Sequence, residues 1–413
     1  MHRPILCAAL MVACGSVLAA HATGRPSPRL TVTPARVRID QPFDVRLAGL
    51  PAGQTITLYC HYTGPVGLDT QAHATYRASA AGTVDLATQA PTSGAYRGVD
   101  PMGLLWSAPV TTADAVSVAL IGYVHPGVVT FTAKIGQRVV AQATAQRYLL
   151  SAAVGHRSLR AKALNGEFYW PAGKTHAPAV LVVGGSEGGL NIYVMREAAL
   201  LAPHGYAALA LAYFGEAGLP DQLARIPLEY FMRALDWLQT QQAVDRNRLA
   251  VIGTSRGGEL ALLLAAHDRR LKAAIAYSGS GLVFSSVHDP RAPAWTWRGK
   301  PVAWIRKNAP WQGAAIPVQQ INGPFLLVAG ADDHVWNSSF LERFALAWTH
   351  THHHPFRDQM LTYAGAGHLI QPPYLATDAT VDSQVGGDMT DQEHADADSW
   401  AHVLRLLASR FSS

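Results

Sequence analysis

The spacing of apolar residues divides the chain into two parts with different periodicities. Between residues 28 and 147, short runs alternate apolar and polar side chains, as in Thr55–Tyr59, Val116–Ile121 and Val129–Thr132. Alternation with a period of two, interrupted by turn residues, is typical of antiparallel strands. The pattern predicts an all-β, immunoglobulin-like sandwich domain of about seven strands over residues 28–147.

A hinge-like link is predicted for residues 146–166, and a second domain for residues 160–413. In this second part, strand-like apolar runs alternate with amphipathic helical segments. That alternation predicts an α/β fold, in which a mostly parallel, doubly wound sheet carries helices on both faces. Functional residues in such sheets lie at the carboxyl ends of the strands.

The strongest local signal is Gly253-Thr-Ser-Arg-Gly257, where an apolar run breaks and then resumes with helical spacing. Glycines two positions on either side of Ser255 let a strand and the following helix approach closely around a strained turn. Ser255 is therefore predicted to be a nucleophile at the apex of that turn. The amino end of the helix that follows would favour a negatively charged reaction intermediate.

Two further strand ends carry the partners that a serine nucleophile needs. Asp332 and Asp333 follow the apolar run Phe325–Val328, and His368 follows Met360–Tyr363. A hydroxyl is a weak nucleophile, so a histidine must take its proton and a carboxylate must orient that histidine. The order Ser, acid, His is the order of the α/β-hydrolase fold. We assign His368 as the base and Asp333 as the acid, with Asp332 as the rival acid.

The oxyanion hole is predicted to combine the N–H of Arg256 with an N–H from the loop Gly184-Gly-Ser-Glu-Gly-Gly189, for which Ser186 is the chosen donor. A phosphate-binding interpretation of this glycine-rich loop is disfavoured, because no Gly-Lys-Ser/Thr follows it.

The amino-terminal sequence predicts the cellular compartment of the protein, and its composition excludes some classes of partner. Residues 1–22 have the pattern of a secretory signal peptide and predict a periplasmic or secreted protein; lipidation at Cys14 is the less favoured alternative. Removal of that leader would leave Cys60 as the last cysteine, without a partner for an internal disulfide. The net charge of +5 is mild and the basic residues are scattered, so nucleic acid is not predicted as a partner. Beyond the leader, the sequence shows no apolar segment long enough to cross a membrane, so stable membrane insertion is not predicted.

Other clusters are interpreted as structural, and neither a cofactor nor a metal site is predicted. His61, His73 and His125 are isolated, and the histidines between His350 and His354 end a helix without accompanying ligands. The acidic stretch Asp378–Asp398 is predicted to be a solvated loop. The segment Gly281–Gln320 either caps an acyl channel with Trp295, Trp297, Trp304 and Trp311 or is a packed excursion, and both interpretations stay open.

Four motifs together resemble the acyl-CoA thioesterase and bile acid-CoA:amino acid N-acyltransferase family. They are Ser93–Ser107 in the sandwich, Gly253–Gly257, Asp332–Trp336 and Gly365–Tyr374. The resemblance implies a covalent acyl-enzyme and a triad of Ser255, Asp333 and His368. The amino-acid-conjugating branch has cysteine as nucleophile, so Ser255 favours hydrolysis of a small acyl thioester or ester over acyl transfer to an amine. A non-catalytic binding protein that retains the pocket is the alternative from another class.

Overall fold

A computed structural model describes residues 27–63, 69–109, 126–161, 164–306, 310–376 and 381–412. The predicted signal peptide (residues 1–22), Cys14, His125 and the predicted strand Val116–Ile121 lie outside these residues. Among the described residues, no helix is both long and apolar enough to cross a membrane.

The amino-terminal part forms two sheets around one apolar core. Their orders are β1-β3-β6 and β2-β9-β8-β4-β5-β7. In most of the longer strands alternate residues face the core, and Phe43 meets Phe131 edge to face across it, with ring centroids 5.7 Å apart. The strands are β1 (Arg29–Thr33), β2 (Arg36–Arg38), β3 (Asp44–Ala48), β4 (Thr55–Thr63), β5 (Asp69–Arg77), β6 (Val84–Asp85), β7 (Ser93–Gly94), β8 (Gly127–Ile135) and β9 (Arg138–Tyr148).

The rest of the chain is organised around an eight-stranded sheet, and three short strands pair separately. The strands are β10 (Val154–Ala161), β11 (Leu164–Pro171), β12 (Ala177–Val183), β13 (Ala207–Ala212), β14 (Ile226–Pro227), β15 (Val244–Thr254), β16 (Leu271–Tyr277), β17 (Trp295–Trp297), β18 (Lys300–Pro301), β19 (Phe325–Gly330) and β20 (Gln359–Tyr363). The sheet order is β10-β11-β13-β12-β15-β16-β19-β20, and every pair from β13 to β20 is parallel. This is the α/β-hydrolase fold.

Helices cover both faces of the sheet. The α-helices of the described residues are α1 (Gly103–Trp106), α2 (Ile192–Leu201), α3 (Leu228–Gln239), α4 (Arg256–His267), α5 (Ser338–His352) and α6 (Met389–Phe411). Helices α2 and α6 pack on one face, and α3, α4 and α5 pack on the other. Successive residues of a central strand enter opposite cores, as Val180 and Leu181 do, so the strands are apolar on both sides.

The predicted link over residues 146–166 is wrong. Strands β10 and β11 form an antiparallel hairpin there and begin the eight-stranded sheet, which therefore starts at Val154, before the predicted boundary at residue 160. The hairpin was missed because its first strand, with its basic residues and exposed face, lacks a clear apolar alternation.

The described part of the predicted acidic loop is mostly helical. Helix α6 begins at Met389, where the carboxylate of Asp388 accepts hydrogen bonds from the N–H groups of Thr390 and Asp391. Glu393 and Asp396 are buried, with 2% and 0% of their surface exposed. The prediction failed because buried acids resemble solvated acids in sequence.

Candidate active site

Ser255 occupies the turn between β15 and α4. Its φ of 58° and ψ of −121° place it in a strained conformation that few non-glycine residues adopt. The Ser255 N–H donates to the Tyr277 carbonyl at 2.8 Å, so the end of the neighbouring strand β16 holds this turn. The predicted strand, strained turn and helix are confirmed.

The two flanking glycines permit the close approach that the motif predicted. A Cβ at Gly253 would lie 2.0 Å from the carbonyl oxygen of Gly257. A Cβ at Gly257 would lie 2.4 Å from the carbonyl oxygen of Gly184, on the loop that faces Ser255. Both positions require glycine for steric reasons.

Replacing Gly257 with alanine is expected to destabilise the protein by about 1–3 kcal/mol, because the added methyl group must displace backbone. Thermal unfolding followed by circular dichroism would measure the effect as a lower Tm. Gly313→Ala is the control, since no atom lies within 4 Å of a Cβ built there. Equal Tm values for the two variants would contradict the steric argument.

Asp333 and His368 lie side by side. Nδ1 of His368 and Oδ2 of Asp333 are 2.8 Å apart, and both side chains are buried. The same carboxylate accepts hydrogen bonds from Val335 N–H at 2.9 Å, Trp336 N–H at 3.2 Å and Ser338 Oγ at 2.5 Å. Four hydrogen-bond partners therefore fix the orientation of the Asp333 carboxylate.

Asp332, the rival acid, has a different environment. Its carboxylate accepts from the Gly387 N–H at 2.9 Å and lies 3.1 Å from His334 Nε2, and its side chain is half exposed. The Gly387 hydrogen bond lowers the pKa of Asp332. The structure thus brings Asp333, rather than Asp332, to His368.

Ser278 holds the triad loops together and was missed from the sequence. Its hydroxyl donates to the His368 carbonyl at 2.7 Å, and its own carbonyl accepts from Trp336 Nε1 at 2.8 Å. It is fully buried and has a φ of 44°. Ser278 directly follows Tyr277, the last residue of β16. Together these two residues contact the backbone of Ser255, the backbone of His368 and the loop after Asp333.

The glycine-rich loop after β12 approaches the serine closely. A Cβ at Gly185 would lie 3.0 Å from the Cβ of Ser255. The Tyr213 hydroxyl donates to the Gly184 carbonyl at 2.7 Å, and Glu187 accepts the Gly185 N–H at 3.0 Å. Ser186 therefore follows an anchored segment, and it lines a cavity with Ser255.

Arg256 presents its backbone, rather than its side chain, to this region. Its guanidinium donates to the carbonyls of Ser285 and Phe284, at 2.9 Å and 3.2 Å, and lies 3.3 Å from Glu259. Among the described residues, no acceptor receives the backbone N–H of Arg256 or of Ser186. Both N–H groups are therefore available to a substrate oxygen.

A cavity of about 300 Å³ opens at Ser255 and His368. Its wall includes apolar side chains from several elements: Val183, Val194, Val335, Leu369, Ile370 and Pro372. A mostly apolar recess beside a nucleophile suits a hydrocarbon group bound next to a reacting carbonyl.

Glu197 of α2 is a buried acid in the wall of this cavity. Burial raises its pKa to about 8, although the nearby guanidinium of Arg196 acts in the opposite direction. The carboxyl is therefore mainly protonated at neutral pH.

Glu197→Gln is expected to be more stable than the natural protein at pH 8 and equally stable near pH 4.5. The pKa of the carboxyl rises from 4.5 to about 8 on folding, so its contribution to stability is complete below pH 4.5 and is lost as the pH rises toward 8. At pH 8 the free energies of unfolding of Glu197→Gln and the natural protein are expected to differ by on the order of 4 kcal/mol. Chemical denaturation at several pH values would measure it, and a pH-independent difference would contradict the assigned burial effect.

The segment Gly281–Gln320 packs as a folded excursion. Trp295 is completely buried and donates from Nε1 to Glu259 at 2.6 Å, which ties the segment to α4. The Arg306 guanidinium lies 4.0 Å from the centre of the Trp304 ring, and Trp311 is half exposed. The described residues that line the cavity at Ser255 belong to other segments, which favours the packed excursion over the acyl channel.

Histidines of both groups, the isolated ones and those near the end of α5, make local contacts. His61 hydrogen-bonds Asp69, and His73 stacks on Tyr59. His354 is bonded through Nδ1 to Asp358 at 2.6 Å and through Nε2 to the Ile321 carbonyl at 2.9 Å. Within the described ranges, no group of three or more His, Cys, Asp or Glu residues could hold a metal ion.

The fold, the serine turn and the adjoining histidine and carboxylate define the class of protein as an α/β-hydrolase enzyme. The family described as acyl-CoA thioester hydrolase/BAAT matches with its N-terminal region over residues 40–161 and with its C-terminal region over residues 226–293 and 299–412. The chain belongs to this family.

Curated relatives align over nearly the whole chain. Acyl-coenzyme A thioesterase 6 of Mus musculus is 30% identical over 91% of this chain and 94% of its own. Acyl-coenzyme A amino acid N-acyltransferase 1 of Mus musculus is 28% identical over 92% of this chain and 97% of its own. A solved dienelactone hydrolase-like phosphotriesterase from metagenomic libraries covers 63% of this chain and 99% of its own, at 22% identity and a TM-score of 0.45.

Proposed function

We propose that the protein hydrolyses acyl thioesters, or related carboxylic esters, through a triad of Ser255, His368 and Asp333. The observation that carries the proposal is the 2.8 Å contact between His368 Nδ1 and Asp333 Oδ2, with Ser255 and His368 opening on one apolar cavity. Relatives named as acyl-CoA thioesterases support a thioester as the substrate.

In the acylation step, Ser255 Oγ attacks the acyl carbon while Nε2 of His368 takes its proton, since Nδ1 is engaged by Asp333. The oxyanion of the tetrahedral intermediate is stabilised by the N–H groups of Arg256 and Ser186 and by the amino end of α4. The thiol or alcohol leaves with the proton from His368, and the acyl group stays on Ser255.

In the deacylation step, His368 takes a proton from water, which attacks the ester carbon of the acyl-enzyme. Collapse of the second intermediate returns the proton to Ser255 and releases a carboxylic acid. In both steps Asp333 orients the imidazole and stabilises its positive charge.

Labelling with a fluorophosphonate would separate this enzyme from a non-catalytic binding protein. One phosphonyl group is expected on the purified protein, on the peptide that contains Ser255, and none on Ser255→Ala. Absence of labelling, or equal labelling of the variant, would refute the nucleophile assignment.

Product analysis would separate hydrolysis from acyl transfer. The purified protein is incubated with an acyl-CoA in the presence of glycine or taurine, and the products are resolved by mass spectrometry. Free carboxylic acid is expected, because the oxygen ester formed at Ser255 is open to water. An N-acyl amino acid as the main product would favour the transferase alternative.

We also propose export to the periplasm or the medium, on the basis of the sequence of residues 1–22. The amino-terminal sequence of the exported protein would test this proposal, and a lipid on Cys14 would favour anchoring. Since acyl-CoA is a cytoplasmic metabolite, the exported protein should be assayed in parallel with acyl-CoA and with simple esters.

A further inference from the structure

Glu197 is a polar side chain in the cavity wall that has no part in the proposed reaction. Glu197 lies on α2, only 6% of its surface is exposed, and it lines the same cavity as Ser255 and His368. Throughout the part of the chain that the structure describes, its carboxyl group forms no hydrogen bond.

The surroundings of Glu197 keep the carboxyl neutral near pH 7. Burial disfavours its ionised form more strongly than the guanidinium of Arg196 favours it. The titratable groups near it are Arg196 on the same helix and Tyr277 at the end of β16. A neutral carboxyl group both donates and accepts a hydrogen bond.

An unpartnered carboxyl group discriminates among acyl groups. A purely hydrocarbon chain that displaced water from the cavity would leave the carboxyl without a partner, which costs free energy. An acyl group with an oxygen atom in reach would supply that partner. The six apolar residues of the wall, from Val183 to Pro372, would still enclose the remaining carbon atoms.

The charge of the recognised group follows from the same neighbours. The Arg196 guanidinium, which lines the same cavity, disfavours an ammonium group beside Glu197. A hydroxyl or oxo oxygen carries no charge and pairs with a neutral acid.

We propose that Glu197 makes the active-site cavity selective for acyl groups that carry a hydrogen-bonding oxygen substituent, such as a hydroxyl or oxo group. This inference rests on the proposed thioester hydrolysis and names its substrate class. Glu197 is a specificity-determining residue, whereas Ser255, Asp333 and His368 perform the reaction.

The test compares thioesters that differ only in the acyl group. N-acetylcysteamine thioesters of hexanoic acid, its 3-hydroxy derivative and its 5-oxo derivative are assayed with the purified protein by thiol release. At least one oxygenated thioester is expected to have a kcat/KM about 10-fold or more above that of the hexanoyl thioester, since an unpaired polar group penalises the wrong substrate.

Two substitutions assign that preference to the carboxyl group. Glu197→Leu is expected to abolish or reverse it by lowering kcat/KM for the oxygenated thioester and raising it for the hexanoyl thioester. Glu197→Gln is expected to retain the preference, because an amide still donates and accepts. Glu393→Leu is the matched control. Glu393 is a buried acid that accepts from Tyr374 N–H at 2.8 Å and lies outside the cavity lining. Its replacement should leave the ratio of kcat/KM between the oxygenated and hexanoyl thioesters unchanged.

The outcomes are distinguishable even if a variant fails to fold. Hydrolysis of all three thioesters by the natural protein at equal efficiency would overturn the inference and leave the proposed function standing. A preference that persists in folded Glu197→Leu would also overturn it. Failure of the natural protein to cleave any of the three would overturn the proposed thioester hydrolysis, and the inference with it.

Discussion

Replacing Ser255 with alanine is expected to lower kcat for acyl thioester hydrolysis by about 10⁵-fold or more, since the covalent route is lost when its nucleophile is removed. The residual rate would come from substrate binding and the oxyanion donors alone. The measurement is thiol release under saturating substrate, with the variant expressed separately to avoid contamination by active enzyme. Its folding is checked by circular dichroism.

Ser280→Ala is the matched control for this substitution. Ser280 is also buried and lies close in sequence to the end of β16, but its hydroxyl donates to the Leu282 carbonyl at 2.8 Å and, among the described residues, bonds no member of the triad. Its kcat should fall by no more than a few fold. A Ser255→Ala enzyme with near-normal turnover would show that another group forms the acyl-enzyme, or that none is formed.

The serine turn could be predicted because its determinants are local. Gly253 packs against the backbone of Gly257, four residues later, and Gly257 packs against the backbone at the end of β12. Ser255 lies between an apolar strand and an apolar helix. The alternation of strands and helices also predicted the central sheet, whose strands are apolar on both faces.

The supporting contacts of the site could not be predicted in the same way. Ser278 reaches the carbonyl of His368, 90 residues later, and Tyr213 reaches the glycine-rich loop 28 to 29 residues earlier. Serine and tyrosine are common residues, and nothing in their local sequence identifies a partner so far along the chain. The sheet order that brings these strand ends together was the missing information.

Buried acids were the second source of error. Glu393 and Asp396 stand in a run of acidic and polar residues that resembles a solvated loop, and Glu197 lies in an ordinary amphipathic helix pattern. Burial raises the pKa of all three carboxyls, and their neutral forms are compatible with an interior. Local sequence does not reveal this change of charge state, because it depends on tertiary packing.

Asp333→Asn is expected to lower kcat by about 10⁴-fold with little change in KM. The asparagine would present an N–H group to His368 Nδ1, which then becomes the acceptor, so the proton would sit on Nε2 and the ring could not take one from Ser255. Asp332→Asn is the matched control, because it makes the same change one residue earlier, on a carboxylate that contacts Gly387 and His334 instead. Steady-state kinetics of both variants would measure the contrast. If Asp332→Asn were the more damaging substitution, the acid of the triad would have to be reassigned, and the 2.8 Å contact between His368 and Asp333 would be structural rather than catalytic.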